Sequence, residues 1–124
     1  MRFKSDALVA EFKRAHPHAQ ALALYLDKWF ITNCNHDGLV TDVERTQEEY
    51  DSIYGERPYQ GPKPHLGPPS HAVDWRSVEF TADQIAGACE HMNHWWPRKD
   101  GKPTLMCHAV GTGGAMHFHL QAEV

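Results

Sequence analysis

The segment His117-Phe118-His119 sets two imidazoles two positions apart. On a β-strand, residues i and i+2 share a face, so both rings point the same way. Beside the glycine-rich stretch Gly111-Thr112-Gly113-Gly114, such a pair could supply a metal ligand and a second polar group. Alone it is weak evidence, because an exposed H-x-H more often binds nothing. His65 and Asp74 form a second pairing. A catalytic zinc commonly keeps three protein ligands from His, Asp or Glu and leaves a further position for water. Asp74 stands in Ala72-Val73-Asp74-Trp75, a carboxylate in an otherwise apolar strand. Burying a carboxylate is costly unless it is paired or holds a metal. The plainer reading of Asp74 is a strand-end residue that caps a turn and pairs with Arg76. His71 lies three residues before Asp74 and falls on the opposite face of an extended strand. His65, on a loop, carries no such restriction.

Composition narrows the field. Histidine is the outlier, at 10 of 124 residues, and it both ligates metals and titrates near neutrality. The three cysteines, Cys34, Cys89 and Cys107, are odd in number and contain no C-x-x-C. That argues against a disulfide framework and a cysteine-rich zinc site, and predicts free, mostly buried thiols. A net charge of −4 calls for neither nucleic acid nor an anionic membrane as partner. With 41% hydrophobic and 23% charged residues, the chain reads as one globular domain over 1–124. It shows no apolar run long enough to span a bilayer. The first residues lead into a charged amphipathic stretch rather than a signal-peptide core, which predicts cytoplasmic synthesis.

The elements that must position these residues follow from local rules. A helical N-terminal part covers 1–36. Asp6 to Ala15 is predicted as a helix stopped before His16-Pro17, and Pro17 opens a second. There Leu22, Tyr25, Leu26, Trp29 and Phe30 follow helical spacing and read as a core face. Asn33 to Gly38 is turn chemistry. Leu39 to Val43 reads as a strand, and Thr46-Gln47-Glu48-Glu49 as a capping box opening a short helix that Gly55 ends. Arg57 to Pro69 is a proline- and glycine-rich loop that suits a site. His71 to Arg76 reads as a strand. Thr81-Ala82-Asp83-Gln84 opens a helix to about Trp96, with Ile85, Cys89, Met92 and Trp96 as its buried stripe and His91 and His94 at the surface. Strands over 104–110 and 116–122 close the chain. The pattern predicts an α+β domain, a small antiparallel sheet flanked by helices, with the metal-site core over 39–122.

Pro64-His65, Ser70-His71-Ala72-Val73-Asp74 and His117-Phe118-His119-Leu120 together resemble the zinc signature of the D-Ala-D-Ala metallopeptidases. That family includes cell-wall carboxypeptidases, dipeptidases and phage endolysins, and is related to lysostaphin-type peptidases and the Hedgehog signalling domain. Its pattern is S-x-H-x-x-G-x-A-x-D followed late in the chain by a histidine strand. The resemblance implies a Zn2+ ion held by His65, Asp74 and His119, with His117 beside it. Thr41-Asp42-Val43-Glu44-Arg45-Thr46-Gln47 resembles the family's strand-to-helix segment, whose arginine contacts substrate, and Arg45 matches that arginine. The likeness covers roughly 39–122. Two departures stand out. The interval from histidine to aspartate is two residues longer here, with Pro68 and Pro69 inside it, which leaves His71 as the alternative to His65. The family's Glu or Asp shortly before the last histidine has no counterpart, since 105–118 contains no carboxylate. His117 then takes the role of base, as in lysostaphin-type relatives, with His108 as second candidate.

The function implied is zinc-dependent hydrolysis of peptide bonds in peptidoglycan stem peptides by a phage or prophage lysis enzyme. Such an enzyme acts as a monomer, made without a signal peptide and released to the wall through a separate pore protein. Trp75, Trp95 and Trp96 either line its groove or pack in the core. Two other readings stand beside it. One is a metal-binding module of the same fold that hydrolyses nothing; the other is an α+β domain with incidental histidines.

Overall fold

The computed structural model describes residues 1–109 and 114–123. It is an α+β fold in which a five-stranded sheet carries helices on one face and the candidate site on the other. The elements in chain order are β1 (Arg2–Phe3), α1 (Asp6–Lys13), α2 (Pro17–Cys34), β2 (Leu39–Asp42), α3 (Gln47–Tyr54), β3 (Ala72–Arg76), α4 (Ala82–Trp95), β4 (Leu105–Ala109) and β5 (Met116–Gln121). The strand order is β1-β2-β3-β5-β4. β1 pairs parallel with β2, and every other pairing is antiparallel. None of the described helices is long and apolar enough to cross a membrane.

The helix ends follow their sequence signals. Pro17 occupies the first turn of α2, and Asn35 closes that helix in the left-handed conformation at φ 62°. Both capping boxes form: Thr46 with Glu49 on α3, and Thr81 with Gln84 on α4. Each satisfies two backbone N–H groups that a helix start would otherwise leave unpaired. Gly55 ends α3 at φ 73°, a conformation glycine adopts without steric cost.

Register sorts the side chains into two layers. Trp75 lies opposite Phe118, and Val73 opposite Leu120; these residues face α2 and α4. Phe30 from α2 stands 5.4 Å from Phe118 and 5.8 Å from Trp75, ring centre to ring centre. Leu22, Leu26, Phe80, Ala88 and Met92 complete this core. Gly38 is required by close approach, because a Cβ there would stand 2.5 Å from the Trp75 ring.

Several expectations shift. The two-residue β1 is not foreseen by any periodicity. α1 ends at Lys13, before Ala15. β2 ends at Asp42, because the Val43 carbonyl turns away from the ladder toward His65 and Ser70. β3 begins at Ala72 rather than His71, whose N–H donates to the Pro64 carbonyl. Val110 and the stretch 111–113 lie outside the described residues. Tyr25 and Trp96, read as core, are exposed at 37% and 44%, and Trp95 at 61%. The buried face of α2 instead runs through Ala19, Ala23 and Leu26, and Tyr25 sits at its margin against His91 and Trp96. Of the three tryptophans offered as groove lining or core, Trp75 alone is buried.

Candidate metal centre

The face of the sheet turned away from the helices gathers the polar residues. Asp74 lies opposite His119 across β3 and β5, and His117 lies opposite His108 across β5 and β4. Residues paired across a sheet share a face, so three histidines and the aspartate converge. His65 reaches the same point from the proline-rich loop. Its backbone N–H donates to the Tyr50 hydroxyl at 2.8 Å, and its carbonyl accepts from the Arg45 N–H at 2.9 Å. α3 and the strand-to-helix turn thereby fix the loop in place.

One ligand atom from each of His65, Asp74 and His119 lies within 4.8 Å of the others. Asp74 Oδ1 is 3.1 Å from His65 Nε2 and 2.9 Å from His119 Nδ1. Tautomers decide what these contacts mean. His65 Nδ1 lies 2.8 Å from the Val43 carbonyl, and a carbonyl only accepts, so Nδ1 carries the proton. In the neutral ring, Nε2 then aims a lone pair at a carboxylate oxygen, which is repulsive unless a cation or a second ring proton lies between. His119 repeats the arrangement, with Nε2–H donating to Gln121 Oε1 at 3.0 Å and Nδ1 facing Asp74. An outer N–H held by an oxygen and an inner lone pair aimed at a common point is the usual support of a metal-binding histidine. The residues present therefore fit a divalent ion.

His117 adds to this set without joining it. Its Nδ1–H donates to the Ala115 carbonyl at 3.3 Å. Its Nε2 stands 3.3 Å from Asp74 Oδ2, within ion-pair reach but outside hydrogen-bonding geometry, so this buried nitrogen has no hydrogen-bond partner. His108 Nε2 is likewise buried and unpartnered, its ring centre 5.0 Å from that of His117. His117 thus stands against Asp74, while His108 lines the same cleft.

Arg45 takes the second oxygen of Asp74. It is buried, with Nη2 3.1 Å from Asp74 Oδ2, Nε 2.5 Å from Asp42 Oδ2, and its guanidinium carbon 5.3 Å from the Tyr50 ring centre. Nη1 has no partner among the described residues, and Arg45 lines the cleft over the centre. Arg76, the partner offered for Asp74, is exposed and plays no part. His71 packs its ring on His16 at 5.7 Å and stands outside the cluster that His65 joins. His91 and His94 stay on α4, far from Asp74 in the fold, with the His91 ring bonded to the Tyr25 hydroxyl.

Burial alone would raise the Asp74 carboxyl, but the neighbouring imidazoles of His65, His117 and His119 outweigh it and hold the group well below the ordinary carboxylate range. Burial opposes the charged form of His117, and the adjacent Asp74 more than reverses that, so its pKa is raised. His108 is lowered, by burial first and then by the neighbouring His117 and His119. Burial pushes the Tyr50 phenol up to about 12, which keeps it a neutral hydroxyl for His65.

The cleft above the centre has a volume of about 430 Å³. Tyr50, Tyr54 and Tyr59 form one wall as stacked rings, Tyr54 and Tyr59 at 4.5 Å. Sequence reasoning passes over Tyr50, Asp42 and Gln121. Gln121 continues the i, i+2 series of His117 and His119 and was open to the same rule; nothing local marks the other two. Comparison of the chain with models of protein families, with curated proteins and with solved structures finds no match.

Proposed function

We propose that this chain is a zinc-dependent peptidase that hydrolyses peptide bonds in bacterial peptidoglycan stem peptides, acting as a phage- or prophage-type lysis enzyme. The observation that carries the reading is the convergence of His65 Nε2, Asp74 Oδ1 and His119 Nδ1 on one buried point, each ring turned by an outer hydrogen bond. Two histidines and a carboxylate with space left for water suit zinc, although the same donors accept other divalent ions. When bound, zinc supplies a Lewis acid and brings its water toward a pKa of ~7. The peptide specificity rests on the likeness of the His65, Asp74 and His117–Leu120 segments to the D-Ala-D-Ala metallopeptidases.

The residues around the centre divide the work. His117 Nε2, unpartnered and facing the cleft side of Asp74, accepts the proton of the attacking water and returns it to the leaving amine. Arg45 fixes Asp74 through Oδ2, and its free Nη1 is available to substrate or oxyanion charge. In this reading the protein is a monomer that reaches the wall through a separate pore protein, without a nucleic-acid or membrane partner. Digestion of purified peptidoglycan tests it: wild type releases new peptide termini and His119→Ala releases none. Equal release by both would contradict it.

One observation favours a second reading. Asp74 is the sole carboxylate among the described residues that line the cleft, so no acidic base stands ready. A non-catalytic metal-binding module of the same fold would hold zinc and leave peptidoglycan intact.

A further inference from the structure

The three imidazoles around Asp74 differ in what stands behind them. His65 Nδ1 lies 2.8 Å from the Val43 carbonyl, and His117 Nδ1 lies 3.3 Å from that of Ala115. A carbonyl only accepts, so in both rings the outer nitrogen keeps its proton. Behind His119 stands an amide instead, with Gln121 Oε1 3.0 Å from Nε2. An amide offers an acceptor oxygen on one side and a donor NH2 on the other, and a half-turn about its last bond exchanges the two. The half-buried Gln121 side chain makes no other hydrogen bond among the described residues, so no second partner holds that half-turn back. Its backbone is fixed, with the N–H donating to the Thr104 carbonyl at 2.9 Å, and the i, i+2 series of β5 keeps the amide beside His119. His119 is therefore the ring whose outer partner can change from acceptor to donor.

We propose that Gln121 is a positioning residue that lets His119 exchange tautomers with the occupancy of the metal centre. This rests on the metal centre of the reading above and adds how that centre tolerates the loss of its ion. With an ion present, Gln121 turns its oxygen to the ring, Nε2 holds the proton and Nδ1 keeps its lone pair toward the ion. Without one, the amide turns its NH2 to Nε2. The proton then moves through solvent to Nδ1, where it donates to Asp74 Oδ1, 2.9 Å away. The ring keeps one proton throughout, so no charge is gained or lost. Which ring nitrogen carries that proton is set by the bond the other one makes. The exchange matters at Oδ1, because His65 Nε2 lies 3.1 Å from the same oxygen and cannot turn its lone pair away. A proton on His119 Nδ1 gives that oxygen a donor whenever the ion is gone.

The test records heteronuclear NMR spectra of the histidine rings in the full chain, first stripped of zinc and then loaded with it. Mildly alkaline solution keeps free imidazoles neutral. Zinc affinity is read beside the spectra by competition with a chromogenic chelator. Wild type is expected to show His119 protonated at Nδ1 without zinc and at Nε2 with it, while His65 stays protonated at Nδ1 in both. Gln121→Leu is expected to bind zinc ~10–100-fold more weakly, the size of losing the outer hydrogen bond of a ligand. Gln121→Glu restores the acceptor and is expected to bind at least as tightly as wild type. An unchanged His119 tautomer in wild type, an affinity untouched by Gln121→Leu, or no uptake of zinc by wild type would overturn the proposal. An equal loss in both variants would leave Gln121 a packing role and overturn it as well. Peptidoglycan digestion is read separately. A chain that exchanges tautomers on zinc binding but digests nothing keeps this proposal and loses the peptidase reading. A chain that digests peptidoglycan with zinc but holds His119 in one tautomer does the opposite.

Discussion

The two faces of β5 obey one geometric rule and serve opposite ends. Phe118 and Leu120 point toward the helices and are fully buried among Phe30, Trp75 and Met92. His117 and His119, alternating with them, point to the other side of the sheet and are nearly as well covered, at 11% and 13% side-chain exposure. The first face gains from burial, about 25 cal/mol for each Å² of apolar surface removed from water. The second is costly, since it desolvates an aspartate, an arginine and imidazoles. A chain selected for stability alone would place aliphatic side chains on both faces. The polar face persists in the fold at a cost, which is the expected mark of a site that holds something.

Substitutions on the two faces should separate stability from metal binding. Phe118→Ala opens a cavity under α2 and is expected to lower stability by ~3–5 kcal/mol, read by chemical denaturation, while the ligand atoms of the opposite face stay as they are. Asp74→Asn should cost the metal-free protein ~3 kcal/mol at neutral pH, because it strips the counter-charge from Arg45 and His117. Its pH dependence has a definite sign. The Asp74 carboxyl is held below its unfolded-state value, so its contribution is fully present above about pH 4 and disappears as pH falls through the folded value. Acid titration of stability should therefore be steeper in wild type than in Asp74→Asn. Thr81→Ala removes one capping hydroxyl on the apolar side and should cost ~1 kcal/mol, with zinc binding untouched. Trp95→Ala, at an exposed position, should change stability by no more than ~0.5 kcal/mol. A larger loss there would mean that the helix layer extends beyond the core described above.

Legibility in the sequence divided along similar lines. Helix starts and stops were readable because their causes are local: Pro17, Thr46 with Glu49, Thr81 with Gln84, and Gly55 each act within a turn. The facing of His117 and His119 was readable from strand periodicity. Core membership was less so, since helical spacing groups Tyr25 with Leu22 and Leu26 but cannot say how wide a stripe the sheet covers. The short parallel β1 was invisible, because Arg2–Phe3 has no pattern of its own and pairs only where β2 offers an edge. At the site, the choice between His65 and His71 depended on the path of a proline-rich loop, which spacing does not dictate. The contacts of Arg45 with Asp42 and Asp74 depended on tertiary register for the same reason.

The measurement that tests the central claim most directly is zinc content per chain by native mass spectrometry, after zinc loading and desalting, on wild type and Asp74→Ala. The account predicts one equivalent in wild type at neutral pH and none in the variant. A wild-type chain that retains no zinc, or a variant that retains as much, would contradict it.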